Sequence, residues 1–104
     1  IGTISMDRGR WAFAVDAVME HFASAEIGGR KLDVRENVAF QGRGEQTRFV
    51  HETYPATGCA IAIEFKKIFM DEWTGEPDTR VIADIRRTMI ALEALLERLL
   101  REHQ

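Results

Sequence analysis

At 104 residues the chain is long enough for one domain with its own core and too short for two. Hydrophobic residues make up 45% and charged residues 30%, the balance of an ordinary globular chain. A net charge of -3 with no Lys/Arg block leaves no footprint for nucleic acid, and the apolar runs Trp11 to Val15 and Cys59 to Ile63 are too short to span a bilayer.

The lone Cys59 excludes an internal disulfide and any multi-thiolate metal site. A buried, inert thiol is expected there, and a reducing, cytoplasmic setting goes with it. The sequence opens at Ile1 without a signal-peptide pattern. Residues 1–104 are expected to form either a single domain or the C-terminal fragment of a larger one.

In chain order, Ile1 to Met6 alternates briefly between apolar and polar residues, which suits a short strand or a lead-in segment. Asp7 is placed to cap a helix running to about Ala25, with Trp11, Ala14, Val15, Val18, Met19 and Phe22 at helical spacing. Gly28-Gly29 ends that region in a turn. Lys31 to Glu36 then alternates with Leu32 and Val34 inward, which predicts a strand.

From Asn37 to Thr47 the composition turns to Asn, Gln, Gly, Arg and Glu, with Phe40 the one large apolar group. This predicts a loop in which Gly42 and Gly44 allow positive φ or close approach. A ligand-contacting loop and a plain surface connection are both open readings. The spacing Gly42-x-Gly44 lacks the further glycines and the Lys-Ser/Thr ending of a phosphate-binding fingerprint. Arg48 offers a fork for a carboxylate or a surface ion pair. His51-Glu52 has Pro55 where a metalloprotease helix needs its second His.

After the turn at Pro55 to Gly58, the stretch from Cys59 to Lys67 predicts the central strand. Cys59, Ile61, Ile63 and Phe65 lie on one side, with Ala60, Ala62 and Glu64 on the other. Glu64 closes a nearly apolar run. It is a solvated strand end, an ion-pair partner, or a general base or ligand where the sheet meets a site. Asp71 and Glu72, being adjacent, share no face and make a poor acid/base couple.

A second turn at Thr74 to Pro77 leads to the strongest element of the sequence. Asp78 or Thr79 caps a long helix with a stripe of Val81, Ile85, Leu92, Leu96 and Leu99, widened by Ile82, Met89 and Leu100. So broad a stripe needs the sheet, the first helix or another subunit against it. The fold class read from this order is α/β, with a short mixed sheet and a long C-terminal helix.

Two segments together resemble a known family. Asn37-x-x-Phe40-x-Gly42-x-Gly44-x-x-Thr47-Arg48, followed by Ala62-Ile63-Glu64-Phe65-Lys66-Lys67-Ile68-Phe69-Met70-Asp71-Glu72, is similar to the C-terminal part of the N-formylglutamate amidohydrolases. The resemblance covers roughly Asp33 to Glu72, and its second half is the more specific. It implies the C-terminal portion of a zinc-carboxypeptidase-like (phosphorylase/hydrolase-like) three-layer α/β fold. The implied activity is metal-dependent hydrolysis of a small acidic N-acyl amino acid such as N-formylglutamate.

By the same resemblance Glu64 is the catalytic base, and Arg48, Asn37, Gly42, Gly44 and Thr47 are the substrate-binding positions. Zinc is implied for the full-length parent, with none bound by this segment, because the family's metal ligands precede the matched region. His21, His51 and His103 are isolated and show no metal-ligand spacing. The alternative expectation is a non-catalytic binding or assembly module that self-associates through the long helix. Neither reading involves nucleic acid or a membrane.

Overall fold

The computed structural model describes residues 1–38 and 41–103, so Phe40 lies outside the described residues. The elements in order are α1 (Ala12–Ser24), β1 (Glu26–Ile27), β2 (Arg30–Lys31), α2 (Glu45–Thr53) and α3 (Thr79–Glu102). The chain divides into two compact units. Ile1–Met19 and Val34–Glu64 form the first, and Glu20–Asp33 and Phe65–Gln104 the second.

The first unit is built on the N-terminal turns of α1. The cap expected at Asp7 falls on the turn before α1 and not on the helix itself: its carboxylate accepts the Arg10 N–H at 3.2 Å and its carbonyl accepts the Trp11 N–H at 3.1 Å, so residues 8–11 turn before the helix begins at Ala12. Met6, Trp11 and Val15 are buried together, with Ile1, Phe13, Met19, Cys59 and Ile61 packed against them. Each large apolar side chain fully withdrawn from water here contributes about 1.5–3 kcal/mol before chain entropy is set against it. Arg8 fastens the rim. Its guanidinium binds Asp16 at 2.6 Å and Glu36 at 2.8 Å, and Glu36 also accepts from the Thr3 hydroxyl.

In the second unit, Gly28 and Gly29 have φ of +62° and +74°, the left-handed pair that a two-residue hairpin requires. Ile27 therefore faces Arg30 and Glu26 faces Lys31 in a short antiparallel ladder. Asp78 caps α3 by accepting the Arg80 and Val81 N–H groups. Val81, Thr88 and Leu92 form its buried edge, seven and then four residues apart, as helical spacing requires. The Gly28 N–H donates to Asp84 of α3 at 2.9 Å, and His21 Nε2 donates to the Thr88 carbonyl at 2.8 Å. Phe22 meets Phe65 edge-on, with ring centroids 5.7 Å apart.

The result is a small α/β chain with a two-stranded antiparallel sheet and a long C-terminal helix. The expected three-stranded mixed sheet is not formed among the described residues, and the cause lies in where the backbone groups bond. Of the strand expected over Lys31 to Glu36, only Lys31 joins the ladder. The Arg35 carbonyl accepts from the Ile1 nitrogen at 2.6 Å instead, and the Asn37 N–H donates to the Ile1 carbonyl at 2.8 Å.

The expected central strand is reduced to one bridge, Gly2 with Ala62. The Ala60 N–H, which a ladder would have used, donates to the His51 ring at 3.0 Å. In place of part of the expected loop there is α2, capped at its N-terminus by Gly44 without a side-chain hydrogen bond. No helix among the described residues is long and apolar enough to cross a membrane.

Candidate functional site

An open concavity of about 690 Å³ lies in the first unit, lined by Val38, Gln41 to Thr47, and Ala62. It forms because two backbones cross. Gly42 has φ +69°, and a Cβ placed on it would lie 2.7 Å from the carbonyl carbon and oxygen of Gly2. Any side chain at this crossing would push the segments apart. The Gly2–Ala62 bridge, at 2.8 and 3.2 Å, holds the opposite wall.

Beyond Gly42 the chain enters α2. Thr47 Oγ1 lies 2.7 Å from the Gly42 carbonyl and 2.9 Å from that of Gly44, closing the turn into the helix. The first turn of α2 therefore borders the concavity with N–H groups that have no partner within the helix. Together with Arg43, these N–H groups favour a carboxylate or another anionic group; Glu45, on the same rim, opposes one of more than modest charge.

The residues expected from sequence part into two sets. Gly42, Gly44 and Thr47 all line the concavity. Asn37 is engaged by the fold: its Oδ1 accepts the Thr3 N–H at 2.9 Å and its Nδ2 donates to Thr3 Oγ1 at 3.1 Å, with φ at +60°. Arg48 and Glu64 are exposed, and neither lines the concavity. Glu64 follows Ala62 by two residues, so the chain that carries it leaves directly from the wall.

The rim arginine is Arg43, which pattern reading passes over because it sits between two glycines with nothing periodic around it. His51, by its sequence spacing, is no more than a poor metal ligand. In the structure its ring joins Ser5 and Ala60, and burial pushes its pKa below the ordinary imidazole value. Cys59 is half-buried against the first core, and burial raises its thiol pKa, as suits an unreactive side chain. Asp71 accepts the Trp73 and Thr74 N–H groups, and those bonds lower its pKa. It shapes a turn.

The zinc and metal-binding description carried by the family resemblance does not hold for this chain. Among the described residues there is no group of three or more His, Cys, Asp or Glu that could hold a metal ion. The reason is placement: His21 is spent on the Thr88 carbonyl, and His51 on Ser5 and Ala60, with His103 against the Leu99 carbonyl.

No protein-family model, no curated protein and no solved structure matches the chain.

Proposed function

We propose that the chain is the C-terminal part of an amidohydrolase that acts on small acidic N-acyl amino acids such as N-formylglutamate. The reading rests on the resemblance of Asn37 to Arg48 and Ala62 to Glu72 to that family, and it includes the family's three-layer α/β fold and a cytoplasmic setting. One observation carries it on the structural side. Gly42, Gly44 and Thr47, from the first resembling segment, and Ala62, from the second, wall a single concavity. In this reading the concavity takes the acidic end of the substrate, against Arg43 and the first turn of α2. Glu64 is the base that takes a proton from the attacking water.

The test is formate release from N-formylglutamate by the complete protein. Glu64→Gln removes the base at nearly constant volume and is expected to lower kcat by about 10²–10⁴-fold while substrate still binds. Unchanged turnover ends the reading.

A second reading, assembly through α3, is favoured by a distinct exposed stripe on that helix. Ile82, Met89 and Leu100 are exposed and Leu96 is half-buried, set apart from the Val81, Thr88 and Leu92 edge. The occupant that fits is a second copy lying antiparallel across a two-fold axis at Met89. That register sets Ile82 against Leu96 of the copy and brings Arg86 beside Glu93 of the copy, an opposite-charge pair on each side of the axis. With Cys59 replaced by Ser, Met89→Cys is expected to yield a disulfide-linked dimer on mild oxidation, since the axis brings the residue against itself. A chain that sediments as a monomer at tens of micromolar and fails to cross-link refutes this assembly.

A further inference from the structure

His51 carries more hydrogen bonding than a helix-end histidine needs. It lies in the last turn of α2, and its ring joins three stretches of the first unit. The Ala60 N–H donates to Nε2 at 3.0 Å, and Ser5 Oγ lies 2.7 Å from Nδ1. A backbone N–H has only a proton to offer, so Nε2 is the unprotonated nitrogen of a neutral ring. The one ring proton is thereby assigned to Nδ1, which donates it to Ser5 Oγ. This direction also excludes Ser5 as a nucleophile activated by His51, because activation needs the ring to take the hydroxyl proton.

A second proton would have to go on Nε2, facing the Ala60 N–H, and an attractive bond would become two donors pointing at each other. Burial adds to that resistance. The charged and titratable groups on the three stretches are Glu45, Arg48 and Glu52 on α2, Asp7 and Arg8 around Ser5, and Cys59 and Glu64 around Ala60. Arg8 is bound to Asp16 and Glu36. Burial is the cause of the depressed His51 pKa.

We propose that His51 is a positioning residue for the concavity: its neutral, Nδ1-protonated ring clamps Ala60 and Ser5, and protonation of the ring releases the wall that Ala62 forms. Ala60 precedes Ala62 by two residues and Ser5 follows Gly2 by three, so the clamp brackets both partners of the Gly2–Ala62 bridge. The consequence for turnover rests on the hydrolase reading, but the clamp itself does not.

Nitrogen and carbon chemical shifts of the His51 ring at about pH 8 test it without substrate, so its failure and that of the hydrolase reading are separable. The expected result is the Nδ1–H tautomer, with an Ala60 amide whose exchange protection falls several-fold to about tenfold as the ring protonates below about pH 6.5. An Nε2–H tautomer, or Ala60 protection that ignores the His51 titration, overturns the proposal. His51→Gln offers the same acceptor and donor without a titrating proton, and in it the Ala60 protection factor is expected to stay level from about pH 8 to about pH 5. A fall in that variant matching the parent chain's also overturns the proposal, and the parent titration decides the matter alone if the variant does not fold.

Discussion

Gly2 and Gly42 pass with their backbones in contact. A Cβ on Gly42 would stand 2.7 Å from the Gly2 carbonyl, while a Cβ on Gly44, two residues on, meets nothing within 4 Å. The two glycines of one short motif thus have unrelated roles. Gly42→Ala is expected to cost about 1–2 kcal/mol for its left-handed backbone and about 1–3 kcal/mol more for the overlap. At Gly44, an N-cap with extended backbone and no side-chain bond, Asp should instead add a few tenths of a kcal/mol. Urea midpoints of the two variants, shifted in opposite directions, check this; equal shifts refute it.

The Arg8–Glu36 pair makes the first unit sensitive to acid. Arg8 holds the Glu36 carboxyl below the usual range, with help from the Thr3 hydroxyl and against the opposing effect of burial. A depressed carboxyl contributes stability that is fully present above its unfolded pKa, near 4.3, and lost as pH falls through the lower folded value. Both side chains keep solvent contact, which limits the gain to about 1 kcal/mol. Between about pH 5 and about pH 3, Glu36→Gln should therefore lose less stability than the parent chain. Parallel pH–stability curves would show that the pair contributes nothing.

The two edges of α3 are expected to respond differently to truncation. Leu92 is 4% exposed and Leu100 47% exposed. Leu92→Ala should cost about 2–4 kcal/mol through lost burial and the cavity left behind. Leu100→Ala should stay within about 0.5 kcal/mol in the isolated chain. A Leu100 cost approaching that of Leu92 at high protein concentration, but not at low, would point to burial of this edge between copies.

Arg43 and Arg48 separate the rim of the concavity from the family pattern. Under the proposed amidohydrolase reading, Arg43→Ala in the complete protein is expected to raise KM for an acidic substrate about tenfold or more with kcat largely kept, because a contact to the substrate's fixed charge acts in ground and transition states alike. If Arg48→Ala does this and Arg43→Ala does not, the substrate carboxylate lies where the resemblance puts it and outside the concavity.

How much of this was legible in the sequence depended on whether a residue's partners were near in the chain. The C-terminal end of α1, the Gly28-Gly29 turn and the Asp78 cap of α3 rest on spacings of a few residues, and they were readable, whereas α1 starts at Ala12, later than a cap at Asp7 implies. The central strand was not. Its alternation from Cys59 to Phe65 says which side chains share a side, but a ladder also needs a neighbouring backbone, and Ala60 gives its N–H to His51. Helix α2 was missed because Phe49 is exposed and the helix buries no residue, so there was no apolar stripe to find. Of the site, the glycine motif was legible because glycine marks unusual backbone. Arg43 was not, since its role comes from the crossing of Gly2 and Gly42, 40 positions apart.

The chain's two tryptophans stand in opposite surroundings, and each belongs to a different unit. Trp11 is 7% exposed inside the first, while Trp73 is 96% exposed at the tip of the turn that Asp71 shapes in the second. Indole emission moves to longer wavelength only for a ring that gains water, so a red shift on denaturation reports the opening of the first unit alone. Iodide, which reaches only surface rings, should dim the other signal from the start, giving the two halves of the molecule separate optical labels without any added dye.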